Sequence, residues 1–201
     1  MSDNISAALV KELRGKTSAP LLDCKKALEE TNGDIEKAIE ILKIKGLSKV
    51  DKKSGRDTLE GLVFSYIHAG GRLGVLLELN CETDFVAKTD DFVSLGNDIA
   101  MHIAATDPLA VSSDNISNEI IEKEKEIYTE QAKKTNKPAE IIEKMVEGRL
   151  KKFFKENVLI EQDFVKDPNK TIKDIITDTV GKLGENIVIT RFKRFQLGEN
   201  S

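Results

Sequence analysis

The sequence predicts an α+β protein in which a three-helix N-terminal module precedes a core of a three-stranded antiparallel sheet packed with helices. Apolar residues recur at helical spacing up to about residue 45 and alternate with a period of two from residue 59. They return to helical spacing from about residue 92, and a Lys/Glu-rich stretch with this spacing begins at about residue 117. With 39% apolar, 33% charged and 5% aromatic residues, the 201-residue chain suits one or two domains rich in solvated helices rather than a large β-sandwich.

Three short amphipathic helices are predicted at the N-terminus. Pro20 stands in the first turn of the second helix. Gly33 is placed to end that helix in a left-handed conformation, Asp34 to cap the third helix with its carboxylate, and Gly46 to stop it. The apolar stripes consist of Ile5, Leu9 and Leu13, then Leu21, Cys24 and Leu28, then Ile35, Ala38, Ile39 and Leu42.

The predicted domain organisation follows from these changes of period. Residues 1–50 form the helical module, 51–58 a basic linker, and 59–201 the α+β core, with a helical pair at about 117–157. The basic run "KGLSKVDKKSGRD" is short and lacks aromatic residues to stack on bases, so a solvated linker is favoured over an RNA-binding segment.

Two strands joined by a glycine-containing turn open the core. Residues 62, 64 and 66, and then 73, 75, 77 and 79, are apolar or aromatic and alternate with other residues on either side of "HAGGRLG". The glycines Gly70, Gly71 and Gly74 match neither dinucleotide nor P-loop spacing, and a strand rather than a helix follows them. A hairpin is therefore expected here, and a nucleotide site is not.

Helices and one further strand complete the predicted core. Thr89, Asp90 and Asp91 are candidate caps for the first of these helices, Pro138 separates the two Lys/Glu-rich helices, and Gly184 ends the last helix. "ENIVITRFKRFQL" then returns to a β-rich composition and supplies the third strand. The helical stripes consist of Phe92, Leu95, Ile99 and Ile103, of Ile120, Glu124 and Tyr128, of Ile142, Met145, Val146, Leu150 and Phe153, and of Ile172, Ile175, Ile176 and Val180.

Charge and targeting signals indicate a cytoplasmic chain without membrane or direct nucleic-acid contact. "MSDNISAALVKEL" lacks the features of a signal peptide, and no apolar run approaches the roughly 20 residues of a membrane span. The net charge is −4, and residues 1–57 carry 12 Lys and Arg against 10 Asp and Glu, so the remaining residues are acidic overall. An acidic core is a poor surface for nucleic acid.

Catalytic chemistry is not apparent in the sequence. Cys24 and Cys81 lie far apart and suggest neither a disulfide framework nor a zinc site. His68 and His102 have no second ligand or nucleophile nearby in the sequence and are interpreted as structural. We therefore expect no enzyme, no catalytic residues, no metal and no cofactor, and favour a protein-binding function.

The stretch "NCETDFVAKT" at residues 80–89 carries the one feature that periodicity leaves open. Asp84 and Phe85 place an acid beside a large aromatic directly after an apolar strand. Either Phe85 is a core residue, or the pair is directed at something outside the chain. From the pattern alone the first interpretation is favoured.

A family resemblance changes that balance. Residues 10–46, "VKELRGKTSAPLLDCKKALEETNGDIEKAIEILKIKG", resemble the N-terminal module of the bacterial elongation factor Ts family. "GRLGVLLELNCETDFVAKTDDF" resembles the start of that family's core, and "KMVEGRLKKFFKE" and "DPNKTI" resemble later parts of it. The matches are separated, occur in order and span nearly the whole chain, which makes the resemblance specific.

The resemblance implies a guanine-nucleotide exchange factor that binds elongation factor Tu in its GDP-bound and nucleotide-free states. It implies that residues 1 to about 50 form a ubiquitin-associated-like module docking on the nucleotide-binding domain of that GTPase. It also implies that Thr83, Asp84, Phe85 and Val86 intrude near the Mg²⁺ site of the GTPase. Fuller family members carry a second core subdomain, so this short form is expected to be a homodimer in which two chains associate through their sheets.

A second function stays open at this point. The alternative is a ubiquitin-associated-like adaptor that binds a partner protein without exchange activity, and its support in the sequence is the three-helix module alone. That alternative assigns no role to Asp84 and Phe85.

Overall fold

A computed structural model describes residues 5–17, 19–51, 53 and 55–199, and for residues 46–51 it describes the backbone alone. The chain divides into two compact units. The first comprises the described residues up to Leu62, together with Leu79–Leu95 and Asp174–Val188. The second comprises Val63–Glu78, Gly96–Lys173 and the described residues from Ile189 onward.

The N-terminal helices are α1 (Ala7–Thr17), α2 (Leu21–Glu30) and α3 (Ile35–Asp51). The predicted turn between α2 and α3 is confirmed, because Gly33 adopts φ +85° and its N–H donates to Leu28 O at 2.8 Å. Asp34 Oδ1 accepts from Lys37 N at 3.1 Å and so caps α3. The helices bury a common apolar core of Val10, Leu13, Cys24, Ala27, Leu28, Ala38 and Leu42.

The prediction that Gly46 ends the third helix is wrong, since α3 continues to Asp51. A glycine inside a helix costs about 1 kcal/mol relative to alanine but leaves the hydrogen-bonding pattern intact. It ends a helix only where the backbone turns left-handed, as it does at Gly33. The first part of the basic run therefore lies in a helix.

The predicted hairpin is confirmed as β1 (Glu60–Ile67) and β2 (Leu73–Cys81). Gly70 and Gly71 take positive φ in the turn, and His68 N donates to Leu73 O at 2.8 Å. The alternation predicted for the second strand holds, because every second side chain of β2 from Val75 to Cys81 is buried. A one-turn helix, α4 (Asp84–Ala87), follows directly.

The long helix α5 (Asp90–Thr106) buries the whole predicted stripe of Phe92, Leu95, Ile99 and Ile103. Among the three candidate caps, Thr89 accepts from Phe92 N at 3.3 Å, whereas Asp90 and Asp91 lie in the first turn. The Lys/Glu-rich helices are α6 (Asn118–Lys133) and α7 (Ala139–Asn157). Pro138 is the N-cap of α7, as the predicted break requires.

A small antiparallel pair, β3 (Asp163–Phe164) and β4 (Asp167–Thr171), was not expected from the sequence. Its residues include Asp, Pro, Asn and Lys, which are depleted in strands, so composition does not indicate it. The pairing is short and contains an irregularity at Phe164.

The last helix, α8 (Ile172–Leu183), ends at Gly184, which takes φ +82° and donates from its N–H to Val180 O at 2.9 Å. The chain then forms β5 (Ile187–Gln196), and the strand order of the antiparallel sheet is β1–β2–β5. The predicted α+β class with a three-stranded antiparallel sheet and helices is thus confirmed. Within the described ranges, no helix combines the length and the apolar character needed to cross a bilayer.

Candidate partner-binding site

The segment Thr83–Val86 lies where β2 passes into α4, so the predicted strand-to-helix junction is present. Thr83 has extended backbone angles and is the N-cap of α4, and its Oγ1 accepts from Val86 N at 3.5 Å. A β-branched residue continues the strand geometry easily, and its hydroxyl supplies the acceptor that a helix start needs. Thr83 therefore leads the chain from the strand, which ends at Cys81, into the helix, which begins at Asp84.

Phe85 projects into solvent with 80% of its surface exposed. In the same helical turn Ala87 is buried and Val86 is half-buried, so α4 anchors itself through its last residues and presents the aromatic ring outward. The interpretation of Phe85 as a core residue is wrong. Phe85 is therefore a large aromatic side chain that lies in solvent rather than in the core.

Asp84 carries the negative charge of the segment. Lys88 Nζ donates to Asp84 Oδ2 at 2.7 Å across one turn of backbone. This hydrogen bond lowers the pKa of the Asp84 carboxyl from its ordinary value of 3.8 and raises that of Lys88 from 10.5. The carboxylate is ionised at neutral pH and half-exposed, so it can be shared with a partner.

Glu185 and Asn186 bring a distant part of the chain to the segment. The Glu185 carboxylate accepts from Thr83 Oγ1 at 2.7 Å and from Thr83 N at 3.0 Å. In the reverse direction, Asn186 N donates to Glu82 Oε1 at 2.7 Å, and this bond is the main cause that lowers the pKa of Glu82. Arg56 Nη1 also reaches Glu82 Oε2 at 3.3 Å.

Sequence reasoning did not identify Glu185, Asn186 or Arg56 as neighbours of the segment. The only local signal was the helix-ending glycine at position 184, which indicates that the following residues leave the helix and turn. Nothing in that signal specifies which loop they meet.

Cys81, the last residue of β2, contacts the segment at Thr83. Its thiol is buried and donates to Thr83 O at 3.1 Å. Burial, followed by the negative charge of Glu185, raises the pKa of Cys81 from 9.0 to about 11, so the thiol is protonated and unreactive at neutral pH. Cys24 is also buried, and both thiols are free. In the described part of the chain, no three His, Cys, Asp or Glu side chains are grouped as a metal site would need.

The two histidines occupy different environments. His102 is fully buried; its Nε2 lies 2.9 Å from Gln162 Oε1, and its Nδ1 accepts from Val165 N at 3.3 Å. His68 is exposed and lies 3.1 Å from the Tyr66 hydroxyl. His102 therefore has the satisfied contacts of a structural residue, whereas His68 lies on the surface.

Comparison with known proteins places nearly the whole chain in one group. The family model described as elongation factor TS matches residues 3–199. A protein of Fervidobacterium nodosum named elongation factor Ts is 60% identical over 195 residues, covering 97% of this chain and 99% of its own length. Proteins of the same name from Carboxydothermus hydrogenoformans and Syntrophobacter fumaroxidans are 59% and 52% identical, covering 97% and 98% of this chain and 90% and 99% of their own lengths.

Proposed function

The chain belongs to the elongation factor Ts family, and we propose that it is a guanine-nucleotide exchange factor that promotes GDP release from elongation factor Tu during translation elongation. The observation that carries this proposal beyond the family match is the exposure of Phe85 beside an ionised Asp84. The role needs no covalent chemistry, cofactor or nucleic acid, and it is exercised in the cytoplasm.

An exchange factor must bind the nucleotide-free GTPase more tightly than the nucleotide-bound GTPase, because only this difference weakens the hold on the nucleotide. Equal affinity for both states shifts nothing, however tight the binding. A thousandfold faster release requires about 4 kcal/mol less activation free energy, since each factor of ten corresponds to about 1.4 kcal/mol.

Phe85 is suited to supply part of that difference. In GTPases the phosphates of GDP are held by backbone amides, a lysine and Mg²⁺. An aromatic ring that becomes buried between these elements gains roughly 1.5 to 3 kcal/mol, and it does so only when they have moved apart. The ring begins from 80% exposure, so nearly all of this gain is available on binding.

Asp84 adds charge at the same place. A carboxylate next to the Mg²⁺ and phosphate region competes for the cation and for the positive groups that hold the phosphates. Thr83 and Val86 complete the segment, Thr83 as the cap that begins α4 and Val86 as its half-buried neighbour. We assign all four residues to contact with elongation factor Tu.

The N-terminal module provides a second contact in this proposal. Leu21 and Leu22, at the start of α2, are 56% and 64% exposed although both are apolar. This pair is suited to docking on the nucleotide-binding domain of the GTPase. The same pair is compatible with a ubiquitin-associated-like adaptor that binds a partner without affecting nucleotide release.

Self-association through the sheet is a further part of the proposal. In the second unit, Val63 and Ile67 of β1, Leu76 of β2 and Phe195 of β5 are all between 49% and 69% exposed. An exposed apolar strand face of this kind favours pairing with a second copy. Light scattering is expected to give twice the chain mass, and Leu76→Arg to give the monomer mass. Leu109→Arg, at an exposed residue outside the sheet, serves as the control.

The function is tested by loading elongation factor Tu with a fluorescent GDP and following its release. The wild-type chain should accelerate release. Phe85→Ala, Asp84→Ala and the double variant should each accelerate it less while keeping the wild-type circular-dichroism spectrum. A wild-type chain that binds the GTPase without accelerating release would support the adaptor instead. A folded double variant with wild-type exchange would refute the site.

A further inference from the structure

Thr83, the residue that precedes the exposed pair, has each of its polar groups engaged. Its N–H and hydroxyl donate to the two oxygens of Glu185 at 3.0 and 2.7 Å. Its carbonyl accepts from the Cys81 thiol at 3.1 Å and from Ala87 N at 3.3 Å. Hydrogen bonds therefore fix the residue at which α4 begins, whereas the side chain of Phe85 next to it is exposed to solvent.

We propose that Glu185 is a positioning residue for nucleotide exchange, holding Thr83 so that α4 presents Asp84 and Phe85 in one orientation. This role rests on the proposed exchange function. Glu185 itself need not touch the GTPase.

The bidentate geometry explains how one carboxylate can set the orientation. A hydroxyl has one proton and two lone pairs, so a Thr83 hydroxyl that donates to Glu185 directs its lone pairs elsewhere. Val86 N lies on that other side, at 3.5 Å from Thr83 Oγ1. Glu185 thus determines which way the capping hydroxyl points, and the bond to Thr83 N fixes the peptide that leads into α4.

A reciprocal bond strengthens this arrangement. Glu185 accepts from the amide of Thr83, and Glu82 accepts from the amide of Asn186. Each loop therefore supplies a carboxylate to the backbone of the other, and hydrogen bonds to charged acceptors are the stronger kind. Two such bonds in opposite directions restrict both sliding and rotation of one loop against the other.

The fixed position of Thr83 matters because Phe85 can promote nucleotide release only if its ring enters the GTPase at the correct position. Displacement of a reacting or intruding group by about 1 Å can lower a rate by about a hundredfold. Glu185 should therefore affect the maximal exchange rate more than the affinity for the GTPase.

The test measures GDP release from elongation factor Tu against the concentration of the factor. Glu185→Gln keeps one acceptor oxygen and places an amide N–H₂ opposite the other of the two Thr83 donors, and Thr83→Val removes the hydroxyl at nearly constant shape. Each variant should lower the maximal rate by about tenfold, which corresponds to about 1.4 kcal/mol, with little change in the half-saturating concentration. Thr83→Ser keeps the hydroxyl and should therefore be clearly faster than Thr83→Val, which lacks it.

Two controls separate positioning from general damage. Glu130→Gln removes a carboxylate that is paired with Lys133 on α6 and should leave exchange unchanged. The double variant Glu185→Gln/Thr83→Val should be no slower than the slower of the two single variants, because both changes disrupt the bond between Thr83 Oγ1 and Glu185. A separate fluorine NMR readout uses 4-fluorophenylalanine at position 85, whose line should narrow in Glu185→Gln as the ring gains mobility.

The outcomes are distinct. Folded Glu185→Gln with the wild-type maximal rate overturns the inference, as does a Thr83→Ser variant as slow as Thr83→Val. If Glu185→Gln does not fold, the comparison of the two Thr83 variants decides. If the wild-type chain fails to accelerate release, the proposed function is wrong, and positioning is judged by fluorine NMR alone. An unchanged line in Glu185→Gln then overturns it.

Discussion

Phe85 and Phe92 are seven positions apart and lie in opposite environments, with 80% and 0% of their surfaces exposed. The first belongs to α4 and the second to the first turn of α5. The same residue type is thus exposed to solvent at one position and buried in the core at the other.

The pair gives a matched test of stability against function. Phe92→Ala should lower the free energy of unfolding by about 3 to 5 kcal/mol, as for other buried phenylalanines. Phe85→Ala should change it by less than about 0.5 kcal/mol, because little apolar surface is lost from the fold. Urea unfolding of both variants measures the difference. A large loss for Phe85→Ala would contradict its exposure.

Two substitutions separate the role of the Asp84 carboxylate from the role of its ion pair with Lys88. Both side chains are exposed, so neither Asp84→Asn nor Lys88→Met should measurably change stability. Asp84→Asn should lower GDP release, whereas Lys88→Met should not, since it leaves the carboxylate in place. Release assays on both variants decide. Equal losses would show that the ion pair, rather than the carboxylate, is what exchange requires.

The same pair has a defined pH dependence. The pKa of Asp84 is lowered in the folded state. The stabilisation that its ion pair with Lys88 contributes is therefore complete above the ordinary pKa of 3.8 and is lost as the pH falls below that value. Exchange should therefore not vary between pH 6 and 8 through this group.

Gly96 in α5 is required by close packing. A Cβ at this position would lie 2.2 Å from Phe64 Cζ, and Phe64 is itself buried. Gly96→Ala should destabilise by about 1 to 3 kcal/mol through overpacking. Thermal unfolding is the measurement, and Phe64→Leu in the same background should recover part of the loss.

Gly148 in α7 is the matched control for Gly96. Apart from its chain neighbours and the backbone of its own helix, no heavy atom of the residues that the structure describes lies within 4 Å of a Cβ built there. Gly148→Ala should therefore stabilise the protein by up to about 1 kcal/mol, the difference in helix propensity. A similar loss for both glycines would argue against packing as the cause.

His102 is expected to make the fold sensitive to acid. Burial lowers its pKa from 6.5, and the Val165 N–H that donates to Nδ1 requires the neutral ring. The contribution of His102 to the free energy of unfolding is therefore complete above pH 6.5. It declines as the pH falls below 6.5, by at most about 1.4 kcal/mol per pH unit.

Urea midpoints between pH 7.5 and 5 test this prediction. Replacement of His102 by Gln should flatten the acid slope. Equal acid slopes for wild type and the His102 variant would exclude His102 as the cause.

Most elements followed from local patterns. The hairpin turn, the caps at Asp34 and Thr89, the break at Pro138 and the helix end at Gly184 each depend on residues within a few positions of one another. Where the local signal was weak, prediction failed. A lone Gly46 did not stop α3, and a strand containing Pro168 carried no β-forming signal.

Spacing and composition were sufficient for the α+β class and for the position of the Thr83–Val86 segment, because helix and strand periods and turn residues act over short stretches of chain. They did not decide whether Phe85 points inward or outward, since both faces of a one-turn helix have the same local pattern. The exposure of Phe85 and the contact between Thr83 and Glu185, which are 102 positions apart, depend on which distant segments pack against this part of the chain in the folded protein. Only the packed structure brings the Glu185 carboxylate to the base of the helix that carries Phe85.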